Sequence, residues 1–146
     1  MGRFFHLYLT TGLIALGLNY AWERAQAWLY EGVGYGWSGW IICFKAALGD
    51  VLMVWFVLLT ISAAARRLLW LRQPRWLAAG ILLGAIVAIA FELYSMATQR
   101  WAYSEWMPTV GGVGVLPVLQ MMFLPVASYW LADRWITRRM GQPETS

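Results

Sequence analysis

The chain has 146 residues, of which 61% are hydrophobic and 12% charged, with a mean hydropathy of +0.57. Soluble domains carry roughly twice that charged fraction, so the balance excludes an ordinary soluble domain and predicts a membrane protein. A net charge of +4 and a pI near 9.6 raise nucleic acid as a partner, but the basic residues sit in short segments beside apolar runs, where they orient spans and meet lipid head groups. The one cysteine, Cys43, lies inside an apolar run, so neither an internal disulfide nor a zinc or iron–sulfur ligand set is expected.

At roughly 20 apolar residues per crossing, four spans use most of the chain and leave only short loops. The predicted fold is an all-α membrane protein, four transmembrane helices in an up-down bundle, forming a single transmembrane domain over 1–146. Span one is predicted over 4–30. Met1-Gly2-Arg3 before the apolar run looks like the start of a signal peptide, but no small-x-small site follows and the run continues into polar residues, so retention is expected. The glycine-rich stretch from Glu31 to Gly39 breaks the helix.

Span two, over 40–65, carries Lys45 and Asp50, and a basic turn from Arg66 to Arg75 leads into span three, over 76–98. That span holds Glu92 and a GxxxG pair, Gly80 and Gly84, which permits close approach of another helix, within the chain or in an oligomer. The segment from Gln99 to Gly112 is too aromatic for a featureless linker. Span four, over 113–135, contains Pro117, Gln120 and Pro125 and is expected to kink or open locally, and the polar tail beyond it to fray.

Arg3, Arg66, Arg67, Arg72, Arg75, Arg134, Arg138 and Arg139 fall on one side of this layout, and the opposite loops hold only Arg100. The positive-inside rule then predicts both termini in the cytoplasm. Trp28, Trp37, Trp40, Trp101 and Trp106 form one interfacial belt in this layout, and Trp70, Trp76, Trp130 and Trp135 the other.

Asn19, Glu23 and Gln26 stand at i, i+4 and i+7 and share one helix face, with Trp22 beside them. An unpaired polar group in hydrocarbon costs several kcal/mol, to order of magnitude, so these need partners from other spans. At about 1.5 Å per residue, Glu23 lies about 28 Å along span one from Phe4, Asp50 about 15 Å into span two, Glu92 about 24 Å along span three and Gln120 about 10 Å into span four. All four helices therefore bring polar atoms to one half of the bundle, while the other half offers only hydroxyls. A transport path would need polar groups in both halves, so the pattern predicts a pocket open to one side.

Glu23, Glu92 and Asp50 are the candidate catalytic carboxylates, able to hold or release a proton when desolvated. Asn19, Trp22, Gln26, Lys45, Arg100, Trp101, Tyr103 and Gln120 are candidate substrate-binding or orienting residues. Lys45 is a possible ion-pair partner for Asp50, although their spacing of five places them about 140° apart. Arg100, eight positions after Glu92, would cap the pocket as a cation if span three extends that far. His6 reads as interfacial, and the methionines as gap-filling core. No metal-ligand spacing, phosphate loop or dinucleotide fingerprint occurs, and no cofactor is expected.

The pattern Asn19-x-x-Trp22-Glu23 resembles a motif of integral-membrane terpene cyclases, in which such a glutamate is implicated in acid–base work. Arg100-Trp101-Ala102-Tyr103, with Met107-Pro108 and Pro117-x-x-Gln120, is similar to a set of small bacterial four-span membrane proteins. The resemblances imply a bacterial inner-membrane location and, for Glu23, Asn19 and Trp22, a place in a site that acts on isoprenoid-like molecules. Two functions follow as expectations. One is an enzyme that isomerises or cyclises a lipophilic substrate by proton transfer; the other is a non-catalytic subunit or binding protein, in a homo-oligomer or larger membrane complex, whose buried charges fix helix packing. A channel or transporter fits less well.

Overall fold

The computed structural model describes residues 2–140, with side chains described over 4–138. The side chains of Arg3 and Arg139 and the tail from Gly141, on which part of the charge count and the expected fraying rest, lie outside the described residues. The chain is all-α: α1 spans Gly2–Gln26, α2 Trp37–Ala65, α3 Pro74–Ala97 and α4 Val115–Met140, with a short hairpin of β1 (Thr109–Val110) and β2 (Val113–Gly114) before α4. α2, α3 and residues Val115–Arg138 of α4 are long and apolar enough to cross a membrane. α1 has 25 residues but is more polar, carrying Thr10, Thr11, Asn19, Glu23, Arg24 and Gln26.

Leu13, Leu52, Phe56, Leu82, Ile86, Leu93 and Phe123 all face outward. So many exposed large apolar side chains on every helix fit contact with lipid and not with water. This is a membrane protein. The core is built from stripes at helical spacing, such as Val51, Val54, Leu58 and Ile61 on α2. α1 packs on both α2 and α4, α3 packs on α4, and the seam between α2 and α3 is more loosely closed. α1 runs antiparallel to α2 and to α4: Tyr8 of α1 meets Ser62 of α2 at one end, and Gln26 of α1 meets Gln120 of α4 at the other.

The buried stripe of α3 is Gly80, Gly84, Ala88, Glu92 and Ser95, small residues that lead up to one carboxylate. A Cβ on Gly84 would lie 2.0 Å from the Met121 carbonyl oxygen, and one on Gly80 3.0 Å from the Trp70 ring. The glycine pair is therefore used within the chain, where it draws α3 against α4 and against the α2–α3 turn.

Trp70 departs from the interfacial position expected for it. Its ring is fully buried, stacks on Tyr129 at 5.6 Å, and donates its indole N–H to Ser62 at 3.0 Å. The serine satisfies the one polar atom of the indole, so the whole ring can enter the core. Pro117 sits in the first turn of α4, where no helical N–H partner is lost, and only Pro125 lies inside the helix.

At the end where α1 stops, a 3₁₀ turn over Ala27–Leu29 leads into a loop that pairs with the segment after α3. Glu31 N–H bonds to the Ala102 carbonyl, and Ser104 N–H to that of Leu29, both at 2.9 Å. The hairpin that follows turns at Gly111 and Gly112, both at positive φ (59° and 81°), as a tight two-residue turn requires.

Candidate functional site

The polar residues of all four helices meet at this end of the bundle. Gln120 of α4 is the hub. Its amide nitrogen donates to Asn19 Oδ1 and to Asp50 Oδ2, each at 2.9 Å, and its oxygen accepts from Gln26 at 3.2 Å. Gln26 also donates to Glu23 Oε1 at 2.9 Å and accepts the Trp22 indole N–H at 3.1 Å. The helical spacing of Asn19, Glu23 and Gln26 does turn one face of α1 toward α4.

Glu92 is held separately. Tyr103 donates its phenol proton to Glu92 Oε2, Trp101 donates its indole N–H to the same oxygen at 3.4 Å, and the Tyr103 oxygen accepts the Gly114 N–H at 3.0 Å. The aromatic segment after α3 thus folds back over its own helix and is fastened to β2.

Between these two groups lies a cavity of about 370 Å³. Glu23, Asp50 and Glu92 all line it, with Lys45, Arg100, Trp101 and Gln120. Asn19, Trp22, Gln26 and Tyr103 stand behind that lining and hold the groups that form it. They do not themselves line the cavity.

Two expectations about charge are corrected. Lys45 makes no ion pair with Asp50: it lines the cavity from an exposed position, the 140° separation keeps the two side chains apart, and Asp50 is bound to Gln120 instead. Arg100 does not extend the face of Glu92 along a helix, because α3 ends at Ala97 and Gln99 turns the chain at φ 54°. Arg100 reaches the cavity from the loop and is exposed. Among the described residues, no lysine or arginine forms an ion pair with any of the three carboxyls. Asp50 Oδ1 and Glu92 Oε1 carry no hydrogen bond among those residues either.

Comparison with protein-family models, with curated proteins and with solved structures gives no match. The chemistry of the cavity has to be read from its own atoms.

Two aromatic lining residues, Phe91 and Tyr30, escaped the sequence reading, and Tyr30 carries a polar atom. Tyr30, just past the 3₁₀ turn, faces the cavity, packs against Tyr103 at 5.7 Å between ring centroids, and makes no hydrogen bond through its hydroxyl among the described residues. Burial, followed by the charges of Glu92 and Glu23, pushes its hydroxyl well above the ordinary tyrosine range, so it remains a proton-bearing phenol. Tyr103 is raised too, by burial and then by its bond to Glu92. In the sequence Tyr30 reads as the interfacial end of a span, and only the pairing of its loop with Tyr103 turns it inward.

The cavity therefore combines three carboxyls, one free phenol and aromatic faces from Phe91 and Trp101. Arg24, by contrast, is drawn away from it. Its guanidinium lies 5.0 Å from the Tyr35 ring and 4.9 Å from the Trp40 ring, where it ties the α1–α2 loop to α2. Among the described residues, no three His, Cys, Asp or Glu side chains are arranged to hold a metal ion.

Proposed function

We propose that this protein is a four-span enzyme of the bacterial inner membrane, with both termini cytoplasmic, that isomerises or cyclises a lipophilic, isoprenoid-like substrate by proton transfer. One observation carries the reading: Glu23, Asp50 and Glu92 share a cavity, and although Lys45 and Arg100 also line it, among the described residues neither forms an ion pair with any of the three. Carboxylates kept only to bind helices together would be expected to neutralise cations, and these do not. A carboxylic acid in the cavity donates its proton to a substrate double bond, leaving a carbocation, and a neighbouring carboxylate removes a proton from an adjacent carbon. The proton count is unchanged over the cycle. The Phe91 and Trp101 faces stabilise the positive charge between the two transfers. The resemblance of Asn19-x-x-Trp22-Glu23 to membrane terpene cyclases supports the same chemistry, and the arginines on the α2–α3 turn and late α4 support the orientation.

The hub at Gln120 favours a second reading, a non-catalytic subunit in which polar bonds lock helix pairing. Lipid extracts of cells with the gene, without it, and with Glu23→Gln or Glu92→Gln separate the two. The enzyme reading expects a lipid that changes with the gene and reverts in folded variants. An unchanged extract together with loss of a membrane complex would favour the subunit.

A further inference from the structure

A second concavity, an apolar groove of about 460 Å³, runs down the loose seam between α2 and α3. Leu52 and Phe56 form one wall and Val87, Ala90 and Tyr94 the other, with Met53 and Phe91 between them. Met53 and Phe91 also line the polar cavity, so the two spaces adjoin across these two side chains. Along α2, Phe56 lies six positions beyond Asp50, and along α3, Val87 lies five before Glu92. Tyr94 lies two positions past Glu92, so the groove runs alongside the carboxyls and, at about 1.5 Å per residue, reaches roughly 8 to 9 Å beyond them toward the middle of the bundle.

Any seam between membrane helices meets lipid tails, but this one adjoins a chamber of polar atoms that a tail alone would leave without partners. We infer that the groove and the cavity form one site for a single-chain lipid with an uncharged hydroxyl head, its tail in the α2–α3 seam and its hydroxyl among Tyr30, Asp50 and Glu92. A groove of about 460 Å³ with one wall on each helix offers a bed for one tail. The head follows from the free atoms: Tyr30 offers a phenol proton, and Asp50 Oδ1 and Glu92 Oε1 offer acceptors. A hydroxyl both accepts and donates, and it can pair with a carboxyl in either protonation state. An anionic head would face three carboxyls; a cationic head would be drawn to them but would share the lining with Lys45 and Arg100, and the amine probe below tests it. This assignment rests on reading the cavity as a ligand site, as the proposed function does, but requires no turnover.

The test is equilibrium binding of oleyl alcohol to the full chain in phosphatidylcholine nanodiscs, with oleylamine, oleate and octadecene as comparison probes. Saturable binding of the alcohol is expected, tighter than that of the other three. Ala90→Trp, which fills the groove without touching a carboxyl, should weaken it at least tenfold, and the lipid-facing control Leu93→Trp should not. Tyr30→Phe should weaken the alcohol several-fold and leave octadecene unchanged. If Ala90→Trp does not fold, Val87→Phe is read in the same way. Wild-type affinity in a folded groove variant overturns the tail site, and tighter binding of the amine or the acid overturns the head assignment. A lipid extract indifferent to the gene, beside saturable alcohol binding, sinks the reaction and leaves this site standing; a gene-dependent extract with wild-type binding in the groove variant does the reverse.

Discussion

The side-chain nitrogen of Gln120 lies 2.9 Å from Asp50 Oδ2, although 70 positions of chain separate the two residues. The same nitrogen binds Asn19, so one amide joins α4 to α2 and to α1 at the floor of the cavity. Gln120→Leu removes both donated bonds and the one accepted from Gln26. Hydrogen bonds between membrane helices contribute roughly 0.6 kcal/mol each on average and up to about 1.7, so a loss of about 2 kcal/mol is expected. Reversible unfolding in mixed micelles measures it, and a variant as stable as the wild type would remove the hub from the account.

The proposed proton transfer makes Glu92 and Asp50 each necessary for turnover. Removing a general acid or base costs typically about 10² to 10⁴ in rate. Glu92→Gln and Asp50→Asn should each lower turnover by that order while leaving the chain folded, because an amide fills the same space. Product formation in membranes, normalised to folded protein, is the readout. Retention of full activity in both variants would contradict proton transfer at this site.

Tyr103→Phe deletes the phenol that bridges Glu92 and the Gly114 N–H, and so unfastens the aromatic segment from α3 and from β2. Faster amide hydrogen exchange is expected at Gly114 and in its neighbours. Exchange in the α2 core around Val54 and Leu58, buried far from the loop, should not change.

Alkaline conditions should loosen the same region. Tyr30 and Tyr103 hold their protons above the ordinary tyrosine value of 10.0 in the folded chain, for burial foremost in both. Their contribution is complete below that value and is lost as pH rises beyond it, because the unfolded chain gives up these protons first. The melting temperature of the wild type should therefore fall above about pH 10, and that of the Tyr30→Phe, Tyr103→Phe double variant should fall less. Equal slopes would place the alkaline sensitivity elsewhere.

Two glycines should respond in opposite directions to alanine. Gly84 meets the Met121 backbone, so Gly84→Ala forces α3 from α4 at a cost of about 1 to 3 kcal/mol. Gly17 has no atom within 4 Å of a new Cβ, and Gly17→Ala should stabilise α1 by about 0.5 to 1 kcal/mol. The pair can be compared in one unfolding series.

Composition and helical period by themselves determined that this is a membrane protein of long helices, that Asn19, Glu23 and Gln26 share a face, and that the polar groups of every helix crowd toward one end. These features are local: a rise of about 1.5 Å and a turn of about 100° per residue fix depth and face without reference to any other segment. Tertiary structure decided what each face meets. It gave Asp50 to Gln120 and not to Lys45, turned Tyr30 into the cavity, buried Trp70 against Tyr129, and spent the Gly80–Gly84 pair inside the chain. It also set the looser seam between α2 and α3, where the groove lies beside the cavity. Such pairings depend on which helices become neighbours and how closely they approach, and a period along one helix carries no information about its neighbour.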